Sequence, residues 1–184
     1  MAPPGMKPDP SGGFKVAGAH PETFLLENEN GARATIETDT LSCSSWTTAS
    51  GKQMMSGKDS IKQCFPDSKT PIKGHFVPEE RAKKLSFDRM IFKLTPDDCP
   101  TIEYRVDVTL RDTTLEYDVI VKNLGTTAVD ASCGILLNGL ANGAKVSTVK
   151  GYTDKGEKAV GTAKWSVPVG KFKETAFYVK IDSA

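Results

Sequence analysis

Few residues in this chain are equipped for covalent or proton-transfer chemistry. A nucleophilic triad needs a histidine beside a serine or cysteine, and the only histidines are His20 and His75. His20 stands in a Pro- and Gly-rich leader, which leaves His75, within Lys73-Gly74-His75-Phe76, as the candidate proton carrier; its bland reading is a surface loop histidine. No GxGxxG, P-loop or HExxH pattern occurs, so phosphate cradles and zinc-protease sites have no support. Asp97-Asp98 are neighbours on a turn, where side chains diverge into solvent. Cys43, Cys64, Cys99 and Cys133 show neither CxxC spacing nor a neighbouring histidine. No metal and no cofactor are expected. The remaining cluster is Asp107, Glu116 and Asp118, which share one parity of an alternating stretch. They form either a solvated sheet face or a concave face where carboxylates, with Trp46 and Trp165, grip sugar hydroxyls and C–H faces.

Those carboxylates need a sheet to hold them. In Thr101 to Asn123, the residues Ile102, Tyr104, Val106, Val108 and Leu110 fall on one parity and Arg105, Asp107 and Thr109 on the other. After Arg111-Asp112-Thr113-Thr114 the alternation resumes with Leu115, Tyr117, Val119 and Val121. A period of two over two successive runs predicts a hairpin with one buried face. Phe24 to Glu27 and Ala32 to Glu37 flank Asn30-Gly31, a hairpin turn by chemistry. Strands are also predicted around Leu41 to Trp46, Phe87 to Leu94, Ala128 to Leu137, Val146 to Lys150 and Glu174 to Ile181, with Met54 and Met55 turned inward. Cys64 to Pro78 reads as irregular because of its prolines. About ten strands with turn signals at short spacing predict an all-β antiparallel sandwich or barrel.

A chain of 184 residues suits one domain with a real core. Residues 1–21 read as an extended Pro/Gly-rich arm and 22–184 as the β domain. The arm lacks the apolar core of a signal peptide and the Arg-rich pattern of a transit peptide. With a net charge of +1 there is no long-range field to draw nucleic acid or an anionic membrane. No apolar run is long enough for a transmembrane helix. The four cysteines read as buried or free thiols of a reducing compartment.

In its order of segments the chain resembles the aldose 1-epimerase family, the galactose mutarotase-like β-supersandwich, in its hexose-6-phosphate epimerase branch. The resemblance rests on FLLENENGARATI (Phe24 to Ile36) before a strand ending at Ser45-Trp46, on Ser60-Ile61-Lys62-Gln63-Cys64-Phe65-Pro66 and on Gly74-His75-Phe76. It continues through the long hairpin ending in Val121-Lys122-Asn123, CGILLNGL (Cys133 to Leu140) and Tyr152-Thr153-Asp154-Lys155. It implies Lys62 in the place of a sugar-phosphate arginine. Where the family's second histidine would stand, this chain has Leu136-Leu137-Asn138. It also implies a supersandwich cut short, without the C-terminal glutamate and with open sheet edges for another chain or the arm to cover.

Two functions are therefore expected. The first is a non-catalytic pseudoenzyme subunit, held with other protein subunits in a larger assembly; degenerate relatives serve this way in a photosynthetic membrane complex, which implies a chloroplast, thylakoid-associated or else cytoplasmic setting. The alternative is an aldose or hexose-6-phosphate 1-epimerase or carbohydrate-binding domain, with a sugar or sugar phosphate held by Trp46, Lys62, His75, Asp118 and Trp165, and His75 with Asp118 as its acid–base pair.

Overall fold

A computed structural model describes residues 6–8, 14–16, 23–38, 40–55, 61–64, 77–78, 88–97, 100–137, 139–141, 143–149, 160–167, 169–170 and 172–183. Among these there is no helix, and the strands form two antiparallel sheets. The eight-stranded sheet begins as a meander of β1 (Met6–Pro8), β2 (Phe14–Val16), β3 (Thr23–Glu27), β4 (Arg33–Glu37), β5 (Cys43–Thr47) and β6 (Ile61–Cys64). The six-stranded sheet is built first from β7 (Val77–Pro78), β8 (Arg89–Leu94), β9 (Ile102–Leu110) and β10 (Thr114–Asn123). The last four strands alternate between the two. β11 (Val129–Leu137) and β13 (Val160–Val167) complete the larger sheet beside β6, while β12 (Lys145–Val149) and β14 (Phe172–Asp182) complete the smaller one beside β10.

The β9–β10 hairpin shows why this sequence makes this sandwich. Every second residue of β9, from Ile102 to Leu110, is buried, and the residues between them are partly exposed. Its partner keeps the parity, with Leu115 opposite Leu110, Tyr117 opposite Val108 and Val119 opposite Val106. The buried side joins a single core with Phe24, Leu26, Ile36 and Trp46 of the larger sheet. Across that core the Phe24 and Phe92 rings meet edge to face, with centroids 5.9 Å apart and planes at 79°. Each fully buried Leu, Ile, Val or Phe here is worth about 1.5–3 kcal/mol over its exposed state, so the hairpin's inner face is a large share of what closes the sandwich.

Hydrogen bonds at one end tie the two sheets together. Gly31 has φ +88°, as a turn at Asn30-Gly31 requires, and the Asn28 carboxamide oxygen accepts from the backbone N–H groups of Asn30 and Ala32 at 3.1 and 2.8 Å. The amide nitrogens of Asn28 and Asn30 then donate to the Asp112 carboxylate in the β9–β10 turn, at 2.6 Å and 3.0 Å. The same turn accepts from Ala49 N at the Asp112 carbonyl and from Ser183 N at the Thr113 carbonyl, both 2.9 Å. At the other end Asn123 is fully buried. It donates to the Thr127 carbonyl and accepts from Gly125 N, fixing the exit from β10.

Two segments depart from the sequence expectations. Ile61–Cys64, for which no strand is predicted, is a strand between β5 and β11: Ile61 is fully buried and lies opposite Cys43 and Leu137. β13, which carries no clean alternation, was not anticipated. The arm contributes β1 and β2, which pair with each other and, through Lys15 opposite Phe24, extend the larger sheet beyond β3. Met54 and Met55 are buried, as expected.

Two outcomes test this architecture. Asp112→Ala should lower the urea midpoint with an unchanged m-value, by about 1 kcal/mol, and the loss should be non-additive with Asn30→Ala in a double-mutant cycle. Cys43 is fully enclosed, and burial pushes its thiol up to about 12; only the thiolate reacts. At pH 8 the Cys43 peptide should stay unlabelled by iodoacetamide in the native protein and become fully labelled in denaturant, as read by mass spectrometry.

Candidate functional site

The outer face of the six-stranded sheet gathers the charged side chains. Because Tyr117 and Val119 point into the core, Glu116 and Asp118 must point away from it. Register sets Asp118 directly opposite Asp107 and Glu116 opposite Thr109. On the other flank of β9, Ile91 lies opposite Asp107 and Arg89 opposite Thr109. Arg89 reaches diagonally to Asp107, its Nε 2.8 and 2.9 Å from the two carboxylate oxygens and its Nη2 also on Oδ2. Arg111, in the turn, pairs its Nε with Glu116 at 3.1 Å. These groups, with Asp88 at the start of β8, line a depression of about 320 Å³.

Charges in this depression do not balance pairwise. Asp118 lies across from a second carboxylate, and the guanidinium nearest to both donates its hydrogen bonds to Asp107. Burial, reinforced by the Asp107 charge, raises the Asp118 carboxyl above its ordinary value, and Arg89 opposes the shift only in part. One oxygen of Asp118 and one of Asp88 are buried with no hydrogen-bond partner. The Arg89 guanidinium is held more firmly protonated, chiefly by its hydrogen bonds to Asp107. Among the described residues no group of three or more His, Cys, Asp and Glu could hold a metal ion.

The residues singled out from sequence do not converge. Trp46 is fully enclosed in the core, its indole N–H without a partner, so it presents no ring face to solvent. Lys62, on β6, and Trp165, on β13, belong to the eight-stranded sheet. Asp118 projects from the far side of the other sheet, with the core between. His75 lies outside the described residues, as do His20 and Asp98. Lys62 stands opposite Leu136 on β11, and Leu137 is buried. Asp107, Glu116 and Asp118 do come together on one face, as their shared parity predicts. Arg89, Arg111 and Asp88 were missed. Arg89 immediately precedes an alternating run, Met90 to Leu94, but its reach to Asp107 depends on the β8–β9 register, which no local pattern encodes.

No protein-family model matches the chain, and no curated protein matches it. Among solved structures, the Slr1438 protein from Synechocystis sp. PCC 6803 superposes with a TM-score of 0.63 at 11% identity, over 87% of this chain and 94% of that one. A galactose mutarotase related enzyme from Lactobacillus acidophilus gives a TM-score of 0.49 at 13% identity; the match covers 83% of this chain and 64% of the enzyme, so this chain spans less than two thirds of its length. Among the described residues no helix is long and apolar enough to cross a membrane. At such identities the likeness is one of fold: this chain is an all-β, two-sheet antiparallel sandwich of the kind found in the Slr1438 protein.

Proposed function

We propose that this chain is a non-catalytic binding or structural subunit on an aldose-epimerase-like scaffold, held with other proteins in a larger assembly. The observation that carries the reading is β11. The family resemblance puts a proton-transferring histidine there, and this chain has Leu136 in register with Lys62 and Leu137 buried. Mutarotation needs an acid at the ring oxygen and a base at the anomeric hydroxyl. Aliphatic side chains supply neither.

The outer-face depression favours a second reading, a carbohydrate-binding domain or 1-epimerase acting on an aldose or hexose 6-phosphate, in which Asp118 carries the proton. The two readings separate cleanly. As a subunit, the protein should run in native extract of its source as a stoichiometric complex well above 19.8 kDa, identified by mass spectrometry of the co-purifying chains; a monodisperse monomer overturns that. Anomer exchange of glucose and glucose 6-phosphate, followed by NMR, should proceed at the buffer rate. Faster exchange that is lost in Asp118→Asn or His75→Ala would establish the epimerase instead.

Asp118 carries a cost that stability measurements can read. Its folded-state carboxyl titrates above the unfolded value, near 3.8, so the folded chain holds that proton more tightly than the unfolded one. Its contribution to stability is fully present below the unfolded value and is lost as pH rises through the folded one. At pH 7 the ionised carboxylate opposes Asp107. Asp118→Asn should therefore stabilise the protein at pH 7 by a few tenths to about 1 kcal/mol, and the gain should vanish below about pH 4 in urea melts at matched ionic strength.

A further inference from the structure

We propose that Asn30-Gly31, in the turn between β3 and β4, is a site of spontaneous deamidation guarded by the Asp112 carboxylate, and that its product turns one tie between the two sheets into a repulsion. The reaction needs only water, and it does not depend on any partner of the subunit reading.

Position and exposure favour the reaction at this peptide. Asn30 and Gly31 are both exposed, and a side chain placed at Gly31 would meet nothing within 4 Å. Water therefore reaches the peptide link from open space. Glycine also lacks the Cβ that would shield the amide nitrogen and confine its backbone. Loss of the Gly31 amide proton to solvent base lets that nitrogen attack the Asn30 carboxamide carbon. A new N–C bond closes a cyclic imide, the carboxamide C–N bond breaks, and its nitrogen leaves as ammonia with a proton from water. Water then opens the imide at either carbonyl. The chain ends with a carboxylate at position 30, on aspartate or, with a methylene added to the main chain, on isoaspartate. Overall an amide and a water become a carboxylate and an ammonium ion, and nothing is oxidised or reduced.

Two contacts hold the turn back from this reaction. The Asn30 amide nitrogen donates to both carboxylate oxygens of Asp112, at 3.0 Å each. Gly31 N donates to the Asn28 carbonyl at 3.2 Å. The leaving nitrogen and the attacking nitrogen are both engaged, so the reaction starts from a locally opened turn. Once it has run, the change is one-way. A carboxylate at position 30 has no N–H to offer, and it faces the Asp112 carboxylate as a like charge within hydrogen-bond reach. Of the two amides, only that of Asn28 then still donates to the Asp112 carboxylate. Asp112 thus protects position 30 while it is an amide and repels it afterwards. Asn-Gly recurs at Asn138-Gly139 and Asn142-Gly143, but both of those asparagines lie outside the described residues.

The test is a peptide map of the full chain, incubated folded and in denaturant at mildly alkaline pH, with isoaspartate counted by enzymatic methylation. Conversion at Asn30 should run roughly tenfold slower in the folded chain than in denaturant. In folded Asp112→Ala it should run at least about threefold faster than in folded wild type. Asn123, buried and bonded through both its amide nitrogen and its amide oxygen, should stay unconverted in the folded chain. A folded wild type with no conversion at Asn30 after the denatured chain has converted fully overturns the site. Equal rates in wild type and Asp112→Ala, or in the folded and denatured chain, overturn the guard. Stability reads the consequence. Asn30→Asp should lower the urea midpoint further than Asn30→Ala, and adding Asp112→Asn to Asn30→Asp should restore it toward wild type by setting an amide opposite a carboxylate again. An Asn30→Asp protein as stable as Asn30→Ala, or one that Asp112→Asn does not rescue, overturns the repulsion.

Discussion

The constraint on which the rest of the structure depends is parity. Two sheets can share one dry interior only if every strand that faces it keeps its apolar residues on alternate positions, because a slip of one residue turns the whole set toward water. The β9–β10 hairpin holds that parity over its full length, from Ile102–Asn123 to Leu110–Leu115. Its neighbours inherit it through the ladders, β8 from β9 and β14 from β10. Opposite them, Phe24, Leu26, Ala34, Ile36 and Trp46 provide the matching surface. The outward residues are then fixed without further instruction, which is why the charged groups arrive on one face.

This explains what could be read in advance. Where burial is one-sided, period two is written directly into the chain, and β3, β4, β8, β9, β10, β11 and β14 were all legible from it. β6 was hidden because Ile61-Lys62-Gln63-Cys64 is too short to show a period, and its prolines lie just beyond. β13 was hidden because Gly161 and Ala163 give no contrast between its two sides. The short strands of the arm are joined to β3 by one residue pair, and their pairing is a tertiary outcome that composition does not announce. The candidate site was legible to the same degree. Asp107, Glu116 and Asp118 share a parity, and a face follows from that. The assignment of Trp46 to a ligand surface fell to a competing demand: a large aromatic on the inner parity of β5 is worth more inside. Arg89 escaped because diagonal partners are set by register between strands, and register is settled by the whole sheet.

The division of the candidate residues between sheets bears on function. Lys62 and Trp165 stand on one layer, Asp118 on the outer side of the other. A sugar small enough for one site cannot touch both. The expected sugar-binding residues Lys62 and Trp165 and the charged depression therefore lie on separate layers of the sandwich.

The alternation of β11, β12, β13 and β14 between the layers has a consequence for biosynthesis. A chain whose strands filled one sheet and then the other could finish the first while the second was still being made. Here β14 lies inside the smaller sheet, between β12 and β10, and β13 pairs along the β11 edge of the larger one. The larger layer lacks a strand until Val167 has left the ribosome, and the smaller one until Asp182 has. During that interval the β10 edge and the β11 edge both stand without their partners, and pairing across such separations is slow. The nascent chain therefore passes through a stage with two open strand edges, a window in which a chaperone or an assembly partner would find its backbone accessible.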